Sequence, residues 1–175
     1  MKYIMLFNNL NLWAGFPMKK KILILMLTIF VMSLFANITT IGTGTLTNVA
    51  LPIEPYYGYS YSQCIYLQTE IDRDLQRIEK IWYNYNQNGT LAGSQDWVIY
   101  MGHTADVAFA TTSSWVPLAN LTEVFNGTLP TIPADGWIEF VLTTTFVYNN
   151  TDNLVIAVAE NMGGLEYHCL GFRYQ

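Results

Sequence analysis

The sequence predicts an all-β domain built as an antiparallel β-sandwich. In several segments apolar and polar residues alternate with the period of a half-buried strand. Asn-Gly dipeptides and other turn-forming clusters separate these segments, and the one long helix candidate, residues 69–80, has weak helical spacing. Short strands at such spacing, without helices between them, are typical of a sandwich or a barrel.

Four segments are the strongest strand candidates, and they are residues 77–86, 96–102, 136–148 and 153–161. The second is apolar on both faces, as expected for a central strand. The third alternates aromatic and β-branched residues with polar ones, which is typical of a half-buried strand. Because a short polar run, residues 149–153, links the last two, we expect residues 138–148 and 153–160 to pair as an antiparallel hairpin.

The first 36 residues carry the pattern of an export signal. Lys19, Lys20 and Lys21 precede an apolar run over residues 22–36, which is shorter than the roughly 20 residues that span a bilayer. The sequence therefore predicts a signal peptide over residues 1–36 with cleavage after Ala36, and the alternative is a membrane anchor. A start at Met18 would open on Met-Lys-Lys-Lys, a common bacterial beginning.

Length and charge limit the remaining possibilities. At 175 residues, with 51% hydrophobic and 12% charged residues, the chain is too apolar for disorder, and residues 37–175 are expected to form a single domain. All thirteen acidic residues lie at or after Glu54, whereas four of the eight basic ones lie before residue 22. A domain this acidic lacks the basic surface that nucleic acids and anionic membranes require, so neither is an expected partner.

The search for catalytic chemistry is mostly negative, and we expect no enzyme. The sequence shows no metal-ligand spacing, no phosphate loop and no nucleophile elbow. Asp72 with Asp74, or Glu160 with Glu166, could act as acid and base in a glycosidase, but surface acids are the ordinary explanation of such spacing. No catalytic residue is predicted.

Aromatic residues are the main functional clue. Tyr56, Tyr57, Tyr59 and Tyr61 place four tyrosines within six positions, and exposed rings of this kind stack on sugar faces. The sequence therefore predicts a ligand site at this tyrosine cluster. The alternative is that the rings simply cover the sandwich, because tyrosine is a good strand residue. Trp82, Trp97, Trp115 and Trp137 are expected in or near the core.

Calcium is the one cofactor that the sequence suggests, and its role would be structural. Asn150, Asp152 and Asn153 supply the oxygen ligands that this hard cation prefers. In the alternative interpretation these residues hydrogen-bond their own turn. Cys64 and Cys169 permit a disulfide in an oxidising compartment, and the alternative is a pair of buried thiols.

Several stretches between residues 42 and 162 resemble a bacterial extracellular β-sandwich module, and they are residues 51–71, 97–104, 121–128, 136–137 and 146–158. Such modules are similar to jelly-roll domains. They occur in large secreted or surface proteins, often beside fibronectin type III domains and a sorting domain for type IX secretion. The resemblance implies a jelly-roll-like fold and an extracellular location, and it implies no reaction.

Two departures from that module affect what is expected. Ala159 stands before Glu160 where such modules often carry a second acid, which weakens a metal site there. After Gly164 the expected final strands are not recognisable, so the sequence predicts a sandwich that is truncated at its C-terminus.

The functional expectation is a non-catalytic bacterial module, secreted or on the cell surface, for adhesion or carbohydrate binding within a larger protein. Its partner would be an extracellular glycan or a surface protein, with no nucleic acid and no membrane after signal cleavage. The alternatives are an accessory domain of a secreted peptidase or glycoside hydrolase whose catalytic part is absent, and a structural spacer.

Overall fold

A computed structural model describes residues 38–42, 46–48, 51–71, 77–86, 90–134, 136–163 and 172–174. Apart from Ile38, they belong to one compact unit, Thr39–Gln175. The predicted signal peptide, residues 1–36, lies outside the described residues. None of the helices in the described ranges has the length and apolar character needed to cross a membrane.

Strands are the main secondary structure of the described chain. They are β1 Leu46–Asn48, β2 Ser60–Tyr66, β3 Arg77–Asn84, β4 Asp96–Thr104, β5 Thr122–Thr128, β6 Trp137–Val147, β7 Asn153–Glu160 and β8 Phe172–Tyr174. Two short helical turns accompany them, α1 at Gln68–Ile71 and a 3-10 helix at Leu118–Asn120. The all-β prediction is confirmed, and the helix candidate at residues 69–80 is a strand from Arg77 onward.

The strands pair antiparallel in three sheets. One sheet has four strands in the order β2-β7-β4-β5, and the other two are the pairs β3-β6 and β1-β8. An isolated bridge between Tyr85 and Phe172 joins β8 to the chain that follows β3. The strands predicted at residues 77–86 and 96–102 agree with the observed β3 and β4.

The predicted hairpin of β6 with β7 is wrong. β6 pairs with β3, whereas β7 lies between β2 and β4 in the four-stranded sheet. The polar linker at residues 149–152 therefore crosses from one sheet to another. Both strands contribute side chains to the same core, Phe140 from β6 and Ile156 from β7 among them, so the linker brings them together across the layers.

Aromatic rings fill the space between the β3-β6 pair and the four-stranded sheet. The Phe140 ring lies 5.0 Å from that of Trp97 and 5.2 Å from that of Phe125, measured between centroids. The Trp97 indole N–H donates to Ser94 O at 2.8 Å, so its burial leaves no orphan donor. A register shift between Ile99 and Tyr100 accompanies the burial of both Val124 and Phe125, which are adjacent in sequence.

The outer face of the four-stranded sheet is also covered. Trp97, Ile99 and Met101 point into the core, so the side chains between them on β4 point outward. On β7 the outward residues Val155 and Ala157 are nonetheless buried. The chain between β4 and β5 lies over this face, since a Cβ added to Gly102 would come 2.5 Å from Leu121 Cδ2. We call residues 105–121 the covering segment.

One edge of the four-stranded sheet, β2, is bordered by the chain that precedes it. The Ser60 hydroxyl accepts a hydrogen bond from Glu54 N at 3.2 Å, and the Ser62 hydroxyl donates to Pro52 O. Both contacts are made by strand side chains rather than by the ladder. Proline has no N–H, so this segment is a poor template for further pairing.

Replacing Phe140 tests how far the fold depends on the ring cluster. Phe140 is fully buried, so Phe140→Ala should lower the free energy of unfolding by about 3–5 kcal/mol. Urea denaturation gives the measurement. Val141, the next residue on β6, is 54% exposed, and Val141→Ala should cost less than about 1 kcal/mol. Equal losses in the two variants would contradict this placement of the core.

Candidate functional site

An open cleft of about 600 Å³ lies beside β2 and under the covering segment. Its walls come from three parts of the chain, and the lining residues are Leu51, Tyr61, Ser62, Gln63, Phe109, Thr111, Thr112 and Trp115. None of these side chains carries a charge. Aromatic and aliphatic walls with a few hydroxyl and amide groups are typical of sites for small uncharged ligands.

Two aromatic rings meet at this cleft. The ring centroids of Tyr61 and Trp115 are 4.8 Å apart, with the planes inclined at 45°. Trp115, which the sequence placed in or near the core, is 46% exposed. The site thus combines a ring on a strand with a ring on a loop, and a tryptophan presented in this way offers a broad apolar surface with one N–H donor.

The side chain of Gln63 joins β2 to the covering segment. Its Oε1 accepts a hydrogen bond from Val116 N at 2.9 Å, and its Nε2 donates to Val116 O at 2.8 Å. Nε2 also donates to the hydroxyl of Tyr61 at 2.9 Å. Sequence analysis missed this residue, because a single glutamine in a strand carries no signal of a partner 53 positions away.

Of the four predicted tyrosines, only Tyr61 lines the cleft. Tyr56 and Tyr57 are exposed and pack edge to face at a centroid distance of 4.8 Å. Tyr59 is the most exposed of the group and has a positive φ of 63°, a conformation that costs energy in residues other than glycine. A Cβ on Gly163 would come 3.1 Å from the Tyr59 hydroxyl, so this ring lies over Gly163.

Two of the three predicted calcium ligands have hydrogen-bond partners within the protein, and they are Asp152 in the linker between β6 and β7 and Asn153 at the start of β7. Asp152 Oδ2 accepts from Asn149 Nδ2 at 2.7 Å, and Asn149 Oδ1 accepts from Asp152 N at 3.0 Å. Asn153 points elsewhere, accepting from Gln68 N at 2.8 Å and donating to Asp106 O at 2.9 Å. Asn150 has a positive φ of 60°, and its buried Oδ1 has no partner among the described residues.

The structure describes only some of the residues of the predicted disulfide and the predicted carboxylate pairs. Cys64 lies half-buried on β2, and burial raises the pKa of its thiol. Cys169 lies outside the described residues, so the disulfide stays a prediction, and so do the carboxylate pairs with Asp72, Asp74 and Glu166. Within the ranges that the structure describes, no three His, Cys, Asp or Glu side chains cluster closely enough to hold a metal ion.

Glu160 is a buried carboxyl at the end of β7, with only 1% of its surface exposed. Oε1 accepts from Met162 N at 2.8 Å, and Oε2 has no hydrogen-bond partner in the described part of the chain. Burial raises the pKa of this carboxyl, whereas the hydrogen bond from Met162 N and the nearby backbones of Asp96 and Tyr59 oppose the shift and the charge of Asp96 adds to it. The Glu160 carboxyl thus lies where the end of β7 meets the starts of β2 and β4.

The raised pKa makes stability depend on pH. The folded state holds the Glu160 proton more tightly than the unfolded chain, so the contribution of Glu160 to the free energy of unfolding is greatest below about pH 4.5. It should fall as the pH rises through the folded pKa. Urea denaturation between acid and neutral pH should show a shallower fall for Glu160→Gln than for the wild type. Glu79→Gln, at an exposed carboxyl, should follow the wild type, and parallel curves for all three proteins would contradict the assignment.

Calcium titration tests the predicted loop site. A bound ion would take up Asp152 Oδ2 and displace the Asn149 amide, so calorimetry should show heat and a raised melting temperature with the wild type and neither with Asp152→Ala. A titration without heat, together with an unchanged melting temperature, would dispose of the site.

Comparison of the chain with protein-family models, with curated proteins and with solved structures finds no match. The function must therefore be inferred from the residues of this chain alone. The feature on which it depends most is the uncharged cleft at Tyr61 and Trp115, where an aromatic pair and several hydrogen-bonding groups share one open surface.

Proposed function

We propose that this chain is a non-catalytic extracellular module that binds a neutral carbohydrate, and that the cleft beside β2 is the binding site. The observation that carries the proposal is the exposed Trp115 ring packed on Tyr61 at the side of an open cleft. A pyranose ring combines an apolar C–H face with a rim of hydroxyl groups. The cleft offers the matching surfaces, which are aromatic rings for the face and side-chain hydroxyls for the rim.

The lack of charge in the lining favours a neutral ligand over an acidic one. Sulfated and uronic acid glycans are bound most strongly where Arg or Lys side chains pair with their anionic groups. The lining residues include neither, and the chain as a whole carries a formal net charge of −5. An acidic glycan would therefore approach a surface of like charge without a cation to neutralise it.

We further propose that the strands follow a jelly-roll topology. Four antiparallel pairs support this, β1 with β8, β2 with β7, β3 with β6 and β4 with β5, because they are the pairs that form when one long hairpin folds over on itself. The bridge from Tyr85 to Phe172 links two of these pairs, which would extend them into a second four-stranded layer, β1-β8-β3-β6.

The proposed setting is the outside of a bacterial cell, within a larger secreted or surface protein. The lysine cluster and apolar run of the first 36 residues support export, and the resemblance of residues 42–162 to extracellular modules supports the context. The proposed partner is an extracellular glycan, either free or carried by a surface protein.

Binding measurements on ring-deletion variants test the proposal. Calorimetry should show binding to at least one of the neutral oligosaccharides of glucose, mannose and galactose. The same measurement should show no binding to sulfated or uronic acid glycans. Trp115→Ala should weaken that binding by about tenfold or more, since a stacked ring contributes roughly 0.5–1.5 kcal/mol beyond its buried area. Trp137→Ala removes an exposed tryptophan from β6 and should bind like the wild type.

Two outcomes would contradict the proposed site. Wild-type protein that binds none of these sugars would refute the function. Binding that survives in Trp115→Ala but disappears when Tyr57→Ala and Tyr59→Ala are combined would move the site to the exposed tyrosines. The melting temperature of each variant shows whether a loss of binding reflects a loss of fold.

A further inference from the structure

Gln63 is a nearly buried amide whose hydrogen bonds are almost all made within the protein. Only 9% of the residue is exposed. Nε2 uses both of its hydrogens, one toward Val116 O and one toward the Tyr61 hydroxyl, and Oε1 accepts from Val116 N. Because the amide has no hydrogen left to donate, it cannot act as a hydrogen-bond donor to a ligand.

The orientation of this amide follows from the groups around it. A backbone N–H can only donate and a carbonyl can only accept, so Val116 requires Oε1 on one side and Nε2 on the other. With that orientation fixed, the second Nε2 hydrogen meets the phenol oxygen of Tyr61, which must act as an acceptor. The hydroxyl hydrogen of Tyr61 therefore points away from Gln63.

The same amide holds the backbone beside Trp115. Its two hydrogen bonds to Val116 fix both the N–H and the C=O of the residue that follows Trp115. They connect positions 53 residues apart, from β2 to the covering segment. The spacing of the Tyr61 and Trp115 rings, 4.8 Å between centroids, thus depends on a contact that neither ring makes itself.

We propose that Gln63 is the positioning residue of the cleft. It holds the covering segment so that Trp115 packs on Tyr61, and it turns the Tyr61 hydroxyl into a hydrogen-bond donor for an oxygen atom of the ligand. The donor role toward a sugar rests on the proposed function, whereas the hold on the covering segment does not. A ligand that fits this cleft must bring an acceptor to Tyr61.

Hydrogen exchange followed by NMR tests the positioning role without any ligand. In Gln63→Leu the Val116 amide loses its acceptor and should exchange at least tenfold faster, whereas Gln63→Glu keeps that acceptor and loses only the donor to Val116 O, so its exchange should rise by less. In Tyr61→Phe one of the two Gln63 side-chain amide hydrogens should exchange faster. Unchanged Val116 exchange in Gln63→Leu, or unchanged Gln63 exchange in Tyr61→Phe, would overturn the proposal.

Sugar binding tests the donor role with the same variants. In Gln63→Glu the carboxylate accepts the Tyr61 hydrogen, so affinity for the oligosaccharides of glucose, mannose or galactose should fall about tenfold, as it should in Tyr61→Phe. The double variant should bind no more weakly than the weaker single one, since both remove the same donor. Full affinity in Gln63→Glu would overturn the donor role. Wild-type protein that binds no sugar would refute the proposed function and the donor role together, and the exchange rates would still decide the hold on Val116.

Discussion

Strand β7 is apolar on both faces, and the structure is arranged so that both faces leave water. On the inner side Leu154, Ile156 and Val158 pack into the core. On the outer side Val155 and Ala157 are buried as well, although the second layer of strands does not reach them. The covering segment lies over this face at Gly102 and Gln63, and it also forms one wall of the cleft. The candidate site is therefore a consequence of how a central strand is sheltered.

This arrangement explains why a polar residue occupies a key position on β2. A loop that lies across a sheet must satisfy its own backbone groups, because unpaired N–H and C=O groups are costly away from water. Gln63 supplies a donor and an acceptor from one side chain, which matches the two groups of Val116. A hydrophobic residue at this position would cover the sheet equally well and leave the loop backbone unsatisfied.

The sequence predicts strands more reliably than it predicts their partners. Alternation located β3 and β6, and continuous apolar runs located β4 and β7, because each strand carries its burial pattern in its own residues. The pairing of β6 and β7 was wrong because a short polar linker is compatible with a hairpin and with a crossing between layers. Trp115 and Gln63 were not predicted as a site, since their relation depends on a loop folding back over a distant strand. Tyr61 was predicted as a ligand-binding residue because of its exposed aromatic ring. The structure adds that this ring lines a cleft together with Gln63 and Trp115.

The hydroxyl contacts of Ser60 and Ser62 bear on whether the edge strand β2 can pair with a strand of another molecule. An unpaired strand at the rim of a sheet can recruit a strand from another molecule, which is a route to aggregation. Here the serines occupy the backbone of a preceding segment that contains Pro52 and Pro55, and neither proline can donate a ladder hydrogen bond. A strand of another molecule that approached this segment would find no N–H to pair with at either proline.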